Sequence, residues 1–125
     1  MTWEFDNNKP IYLQLIDILK LKIASEELEI GSKLNSVRDL AEEAGVNPNT
    51  MQRALAELER QELLYSIRTS GRYVTHDREK IKSMKDEIAS IEINSLKEKL
   101  SKLGYSEEDM IEIITLNLRR INNGE

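Results

Sequence analysis

Apolar residues recur every three to four positions along most of this chain, and two short stretches break the rhythm. Tyr12, Leu15, Ile16, Leu19 and Ile23 make one face of a first helix. Lys9-Pro10 opens it, with proline in the first helical position. Glu26-Glu27-Leu28-Glu29-Ile30-Gly31 closes it, Gly31 suiting a left-handed or turn position, and Lys33-Leu34 has room for a very short strand. Ser36-Val37-Arg38-Asp39 reads as a capping box, which starts a second helix that stops at Gly45. Asn47-Pro48 starts a third, an N-cap side chain followed by proline at the first turn, and the pattern carries it to about Gln61.

The rhythm then changes. Leu63 to Ile67 and Arg72 to Thr75 are β-prone runs joined by Arg68-Thr69-Ser70-Gly71, the pattern of a hairpin. From Asp77 a long stripe runs through Ile81, Met84, Ile88, Ile91, Leu96, Leu100 and Leu103 on one helix of some 25 residues, which Gly104 ends. Ser106-Glu107-Glu108-Asp109 caps a last helix bearing Met110, Ile111, Ile113, Ile114, Leu118 and Ile121. The predicted fold is mainly α with a small β-hairpin.

Two short helices about a glycine turn are the outline of a helix-turn-helix. Small Ala41 stands four residues before Gly45, where the helices must approach, and Leu40, Val46, Met51, Ala54 and Leu55 are placed to hold the pair together. An ordinary helical hairpin shares that outline, but a β-hairpin directly afterwards is a wing. The expected organisation is therefore a winged helix-turn-helix over residues 9–76 and a two-helix segment over 77–121. Two amphipathic helices alone cannot bury so much Ile and Leu. Either both fold back on their own winged helix, or Ile81, Met84, Ile88, Ile91, Leu96, Leu100, Leu103, Ile111, Ile114 and Leu118 meet a second copy in a homodimer; the second is the reading taken.

Composition narrows the functions. The 125 residues carry no cysteine, so thiolate metal sites and cysteine nucleophiles are excluded. His76 is the single histidine, and no nucleophile, metal cluster or phosphate loop accompanies it; its neighbour Asp77 makes a metal pair only by surface coincidence. The reading is therefore not an enzyme, with no cofactor and no metal. Neither a secretory start nor an apolar run near the ~20 residues of a membrane span is present, so a cytoplasmic protein with no membrane partner is expected.

The net charge of −5 runs against DNA binding, which normally needs a basic surface. The acids are unevenly spread, however. Ala44 to Ala56 holds none and includes Arg53; Leu63 to His76 holds none and includes Arg68 and Arg72. Those windows are the third helix and the wing. A recognition helix offers its first residues to the major groove, which nominates Asn47, Asn49, Gln52 and Arg53: Asn and Gln bidentate to adenine, Arg to guanine or to a phosphate. Thr50 suits a phosphate oxygen, Arg38 reaches either the backbone or a base, Gly71 allows close approach, and Arg68 and Arg72 fit phosphate or a narrow minor groove. Asn47 is needed as a cap in any case, and Arg53 and Arg72 can equally pair with surface glutamates. A winged helix used for protein contacts would show an apolar recognition face, where this one is Asn, Thr, Gln and Arg.

Pro10-Ile11-Tyr12-Leu13-Gln14-Leu15, Leu34-Asn35-Ser36-Val37-Arg38-Asp39-Leu40-Ala41, Gly45 through Leu55, and Glu57 through Leu64 closely resemble the GntR family of bacterial transcription regulators. The resemblance spans roughly residues 9–76. It implies a dimer on palindromic double-stranded DNA, usually as a repressor, with Arg38, Thr50 and positions 47, 49, 52 and 53 at the DNA and Gly71 at a wing tip that enters the minor groove. Asn35 stands where the family usually has proline, and Thr69 replaces a common wing glycine. Only about 48 residues follow the wing, too few for the family's large effector domains, so the chain looks like the small YtrA-type subfamily, whose short tail dimerises. The residues identify no small-molecule effector, though they leave room for one.

Overall fold

The structure, a computed structural model, describes residues 3–122, the last two by backbone alone. Its elements in order are α1 (Ile11–Ala24), α2 (Val37–Ala44), α3 (Pro48–Arg60), strands β1 (Leu64–Ile67) and β2 (Gly71–Val74), α4 (Arg78–Lys102) and α5 (Glu107–Asn122). They form two compact units, Met1–Lys85 and Asp86–Glu125. The expected fold class holds, a helical chain with one antiparallel hairpin.

Capping chemistry sets the helix boundaries. The Ser36 hydroxyl accepts the Asp39 N–H at 3.1 Å, and Gly45 closes α2 at φ 72°. The Asn47 side chain accepts the Asn49 N–H at 2.8 Å, with Pro48 next in the first turn of α3. Ser106 and Asp109 cap α5 reciprocally. Helix α1 departs slightly from expectation. Pro10 sits at its N-cap, outside the helix, where its extended ψ of 128° suits a residue entering a helix. The helix also ends at Ala24, two residues before Glu26 turns left-handed.

The core of the first unit lies where α1, α3 and the hairpin meet. Leu15, Leu19 and Ile23 of α1 and Met51, Leu55 and Leu58 of α3 are all at most 1% exposed, each worth roughly 1.5–3 kcal/mol of transfer from water. Leu40, Ala41 and Ala44 bring α2 onto this layer, and Leu63, Leu64 and Val74 close it from the hairpin. Ile81 and Met84, read as part of the later stripe, are buried here as well. The first two turns of α4 thus belong to the winged helix, and the division by packing falls at Lys85 and Asp86.

Residues 31–34 run along β2 as an added edge. Gly31 N–H donates to Val74 O at 3.1 Å, Val74 N–H to Ser32 O at 2.9 Å and Leu34 N–H to Arg72 O at 2.9 Å, with one bridge between Lys33 and Tyr73. This is the short strand expected at Lys33-Leu34, reduced to a single bridge. The N-terminal arm is tied to α1 by Gln14, which donates to Asp6 O at 2.8 Å and accepts from Asp6 N at 2.7 Å. Buried Lys22 holds Glu27 at 2.7 Å and lies 4.5 Å from the centre of the Trp3 ring.

In the second unit, Met110 is buried and Ile88, Leu100, Ile113 and Ile114 are half-buried. Ile91, Leu96, Leu103, Ile111 and Leu118 of the expected stripe are exposed, and Ile93 and Leu116 join them. The side chain of Ile121 lies outside the described residues. Among the described residues no helix is long and apolar enough to cross a membrane.

Gly31 has φ 77°, and a Cβ there would come within 2.3 Å of the His76 ring. Gly31→Ala should therefore cost about 1–3 kcal/mol, read from urea unfolding. Adding His76→Ala should recover part of the loss by removing the clash; no recovery would place the whole cost in the backbone.

Candidate nucleic-acid interface

Helix α3 has one face turned inward and one turned outward. Met51, Ala54, Leu55 and Leu58 fix its inner side in the core, so the helical period forces Asn49, Gln52 and Arg53 to the surface. Thr50 is half-buried, and Asn47 stands exposed at the cap. Arg38 is exposed in the first turn of α2. The dipole of α3 adds a partial positive charge at the N-terminal end of the helix.

The hairpin stands beside α3 with Tyr65 opposite Tyr73 and Ile67 opposite Gly71. Tyr65 and Tyr73 stack at 5.6 Å between ring centres, and the Tyr65 hydroxyl meets His76 Nε2 at 3.0 Å. The single histidine thus packs on Gly31 and bonds to Tyr65, while the Asp77 carboxylate caps α4 through the N–H groups of Glu79 and Lys80. Each has a structural task apart from the other. Arg68 is exposed in the turn at the wing tip, and Gly71 follows at φ 135°.

A cleft of about 750 Å³ opens between the wing and the start of α2. Lys33, Ser36, Gln52, Ser66, Arg68 and Arg72 are among its lining residues. Gln52, Arg68, Gly71 and Arg72 thus share the cleft, with Arg38 between its lining residues Val37 and Asp39, whereas Asn47, Asn49, Thr50 and Arg53 lie outside its lining. Lys33 and Ser66 were not nominated from the sequence, since a lone lysine in a loop and a serine in a strand carry no local signal.

Two of the nominated arginines are engaged within the protein. The Arg53 guanidinium lies over the Tyr12 ring, 4.2 Å from its centre, a contact that fixes a long side chain by its stem and plane. Arg72 takes the alternative in which it pairs with a glutamate. Its Nε donates to Glu59 Oε1 at 2.5 Å, its Nη1 to Gln52 Oε1 at 3.4 Å, and its side chain is 18% exposed. The Ser66 hydroxyl donates to the same Glu59 oxygen at 2.6 Å. Glu59 therefore holds both strands of the wing against α3. Sequence reasoning missed it because it lies 13 residues from Arg72, beyond any helical spacing.

The ionisation of Glu59 follows from these contacts. Burial works to raise its pKa, but the bonds from Ser66 and Arg72 outweigh burial and hold it below the ordinary carboxylate value. Bonds from Arg60 and Gln61 push neighbouring Glu57 down to about 2. A carboxylate with a depressed folded pKa stabilises the fold above its unfolded value and loses that contribution as pH falls through the folded one.

A family profile described as "Bacterial regulatory proteins, gntR family" matches residues 11–74. A solved structure of a GntR family transcriptional regulator from Listeria monocytogenes is 40% identical and superposes with a TM-score of 0.83, covering 89% of this chain and 97% of that one. The HTH-type transcriptional repressor YtrA of Bacillus subtilis is 37% identical over 71 residues, 57% of this chain and 55% of that protein. A crystal structure of the DNA-binding domain of AraR in complex with operator ORX1 is 27% identical with a TM-score of 0.51, over 54% of this chain and 81% of that one.

The sign of the Glu59 shift gives a test. Wild type and Glu59→Gln should differ most in stability near neutral pH, and the difference should shrink as pH falls below the ordinary glutamate value of about 4.3. Urea unfolding across that range measures it. The variant keeps the slope due to Glu57, and a difference that does not change with pH would refute the assigned role of the Glu59 carboxylate.

Proposed function

The chain belongs to the gntR family of bacterial regulatory proteins, and from that premise we propose that this DNA-binding transcriptional regulator is a cytoplasmic repressor of the small YtrA type that grips a palindromic operator as a homodimer. The observation that carries the reading is the exposed, acid-free start of α3, with Asn49, Gln52 and Arg53 turned outward beside the wing. Asn47, Asn49, Gln52 and Arg53 would meet base edges. Thr50, Arg38 and Arg68 would take phosphates, with Gly71 giving the wing its close approach. Arg72 would act by bracing the wing through Glu59. Repression is supported by the name of the YtrA relative and by simple occlusion, since a protein seated on an operator blocks what else must bind there.

The dimer is supported by the second unit. Ile91, Leu96, Leu103, Ile111 and Leu118 leave apolar surface in water at a cost of roughly 25 cal/mol per Å², and a twofold partner would cover the same face on both copies. Half-buried Ile88, Leu100 and Ile114 would line its inner edge. Light scattering at micromolar concentration should return twice the chain mass. Ile111→Asp, at a residue 68% exposed in the single chain, should halve it and weaken operator binding. A wild-type monomer sinks the dimer.

Base readers and phosphate binders separate by competition binding on operators that differ at one base pair. Asn49→Ala and Gln52→Ala should change the ranking at particular positions by ~1–3 kcal/mol. Thr50→Val and Arg68→Ala should weaken all sequences alike. Arg68→Ala should also make the salt dependence shallower by up to roughly 2 in log–log slope, one phosphate per subunit. An unchanged ranking in Gln52→Ala would show that α3 does not read the bases.

A further inference from the structure

We infer that Gln52 reads guanine, through the donor end of its amide, because Arg72 occupies the carbonyl end. The inference rests on the recognition-helix reading above and names what that helix selects at one position. Arginine carries five donors and no acceptor. A guanidinium beside the Gln52 amide can therefore be met only by Oε1, and the 3.4 Å contact from Arg72 Nη1 turns that oxygen toward the wing. The Nε2 hydrogens are left to point away, as donors.

Adenine in the major groove offers an acceptor at N7 and a donor at N6, and a glutamine reading it uses both ends of its amide. Here a cation already holds one of the oxygen's two lone pairs, and its positive charge repels an amino group approaching the other. Guanine offers acceptors at both N7 and O6, which suits a donor beside a guanidinium. Arg72 cannot swing aside freely, since Glu59 holds its Nε at 2.5 Å and Ser66 fixes the same carboxylate at 2.6 Å. Glu59 and Arg72 are thus positioning residues for a specificity set by Gln52.

The test uses the full-length protein and an operator recovered by it from random-sequence DNA, with every base pair then varied singly. At the position whose ranking Gln52→Ala flattens, guanine should lead adenine by roughly tenfold. Gln52→Lys, donor only, should keep guanine first, and Gln52→Glu, acceptor only, should lose it. Replacing that guanine by 7-deazaguanine or 2-aminopurine, which lack N7 and O6 respectively, should weaken wild type in at least one case and Gln52→Ala in neither. Glu59→Ala should shrink the lead of guanine at this one position by about fivefold and leave the ranking elsewhere intact; loss of wing packing alone would lower affinity for every operator equally. Adenine ranked first, or a guanine lead unmoved by Glu59→Ala, overturns the inference. If Gln52→Ala flattens no position, the recognition-helix reading itself has failed and the inference falls with it.

Discussion

A single carboxylate sets the distance between the wing and the helix it flanks. Glu59 sits on α3 and takes bonds from Ser66 on β1 and Arg72 on β2, so one side chain links three elements. Each charge-assisted bond to such a partly buried group is worth about 1–3 kcal/mol, and the larger cost lies in leaving one partner buried alone. A two-stranded hairpin is marginal by itself in water. This one is stiffened by the Glu59 brace on one side and by the backbone of residues 31–34 on the other. The concave surface bearing Gln52 and Arg68 exists because both supports hold.

The same brace changes how an acidic chain can meet DNA. With Arg72 committed to Glu59, Arg38, Arg68 and Lys33 around the cleft and Arg53 over the Tyr12 ring are the exposed cations of this surface. Against a net charge of −5 that is a small electrostatic footprint, so few counterions are released per subunit and little non-specific affinity follows. Discrimination then falls on hydrogen bonds whose donors and acceptors are fixed beforehand. The energy is in orientation more than in charge.

Much of the fold was legible because its boundaries are written in local chemistry. Ser36, Gly45, Asn47-Pro48 and the Ser106–Asp109 pair each act within four residues of themselves, and each marks its helix end in the structure. The outward set on α3 followed from the same period. What was not legible is nonlocal. The pairing of Glu59 with Arg72, the seating of Arg53 on Tyr12 and the tie of Gln14 to Asp6 depend on how elements meet, and no periodicity encodes that. The inner end of α4 failed for a related reason. Ile81 and Met84 continue an apolar stripe without a break, yet the first two turns pack on the winged helix, so composition drew the border several residues before packing does.

The contact between Trp3 and Lys22 has an optical meaning. Trp3 is the one tryptophan of the chain, and its indole rests against a buried ammonium in the first unit, whereas the second unit, whose described residues are mostly helical, carries no indole. Emission therefore follows the seating of the N-terminal arm in the first unit alone, while far-ultraviolet ellipticity sums the helices of both units. A melting step seen by ellipticity and silent in emission then belongs to helix remote from the arm.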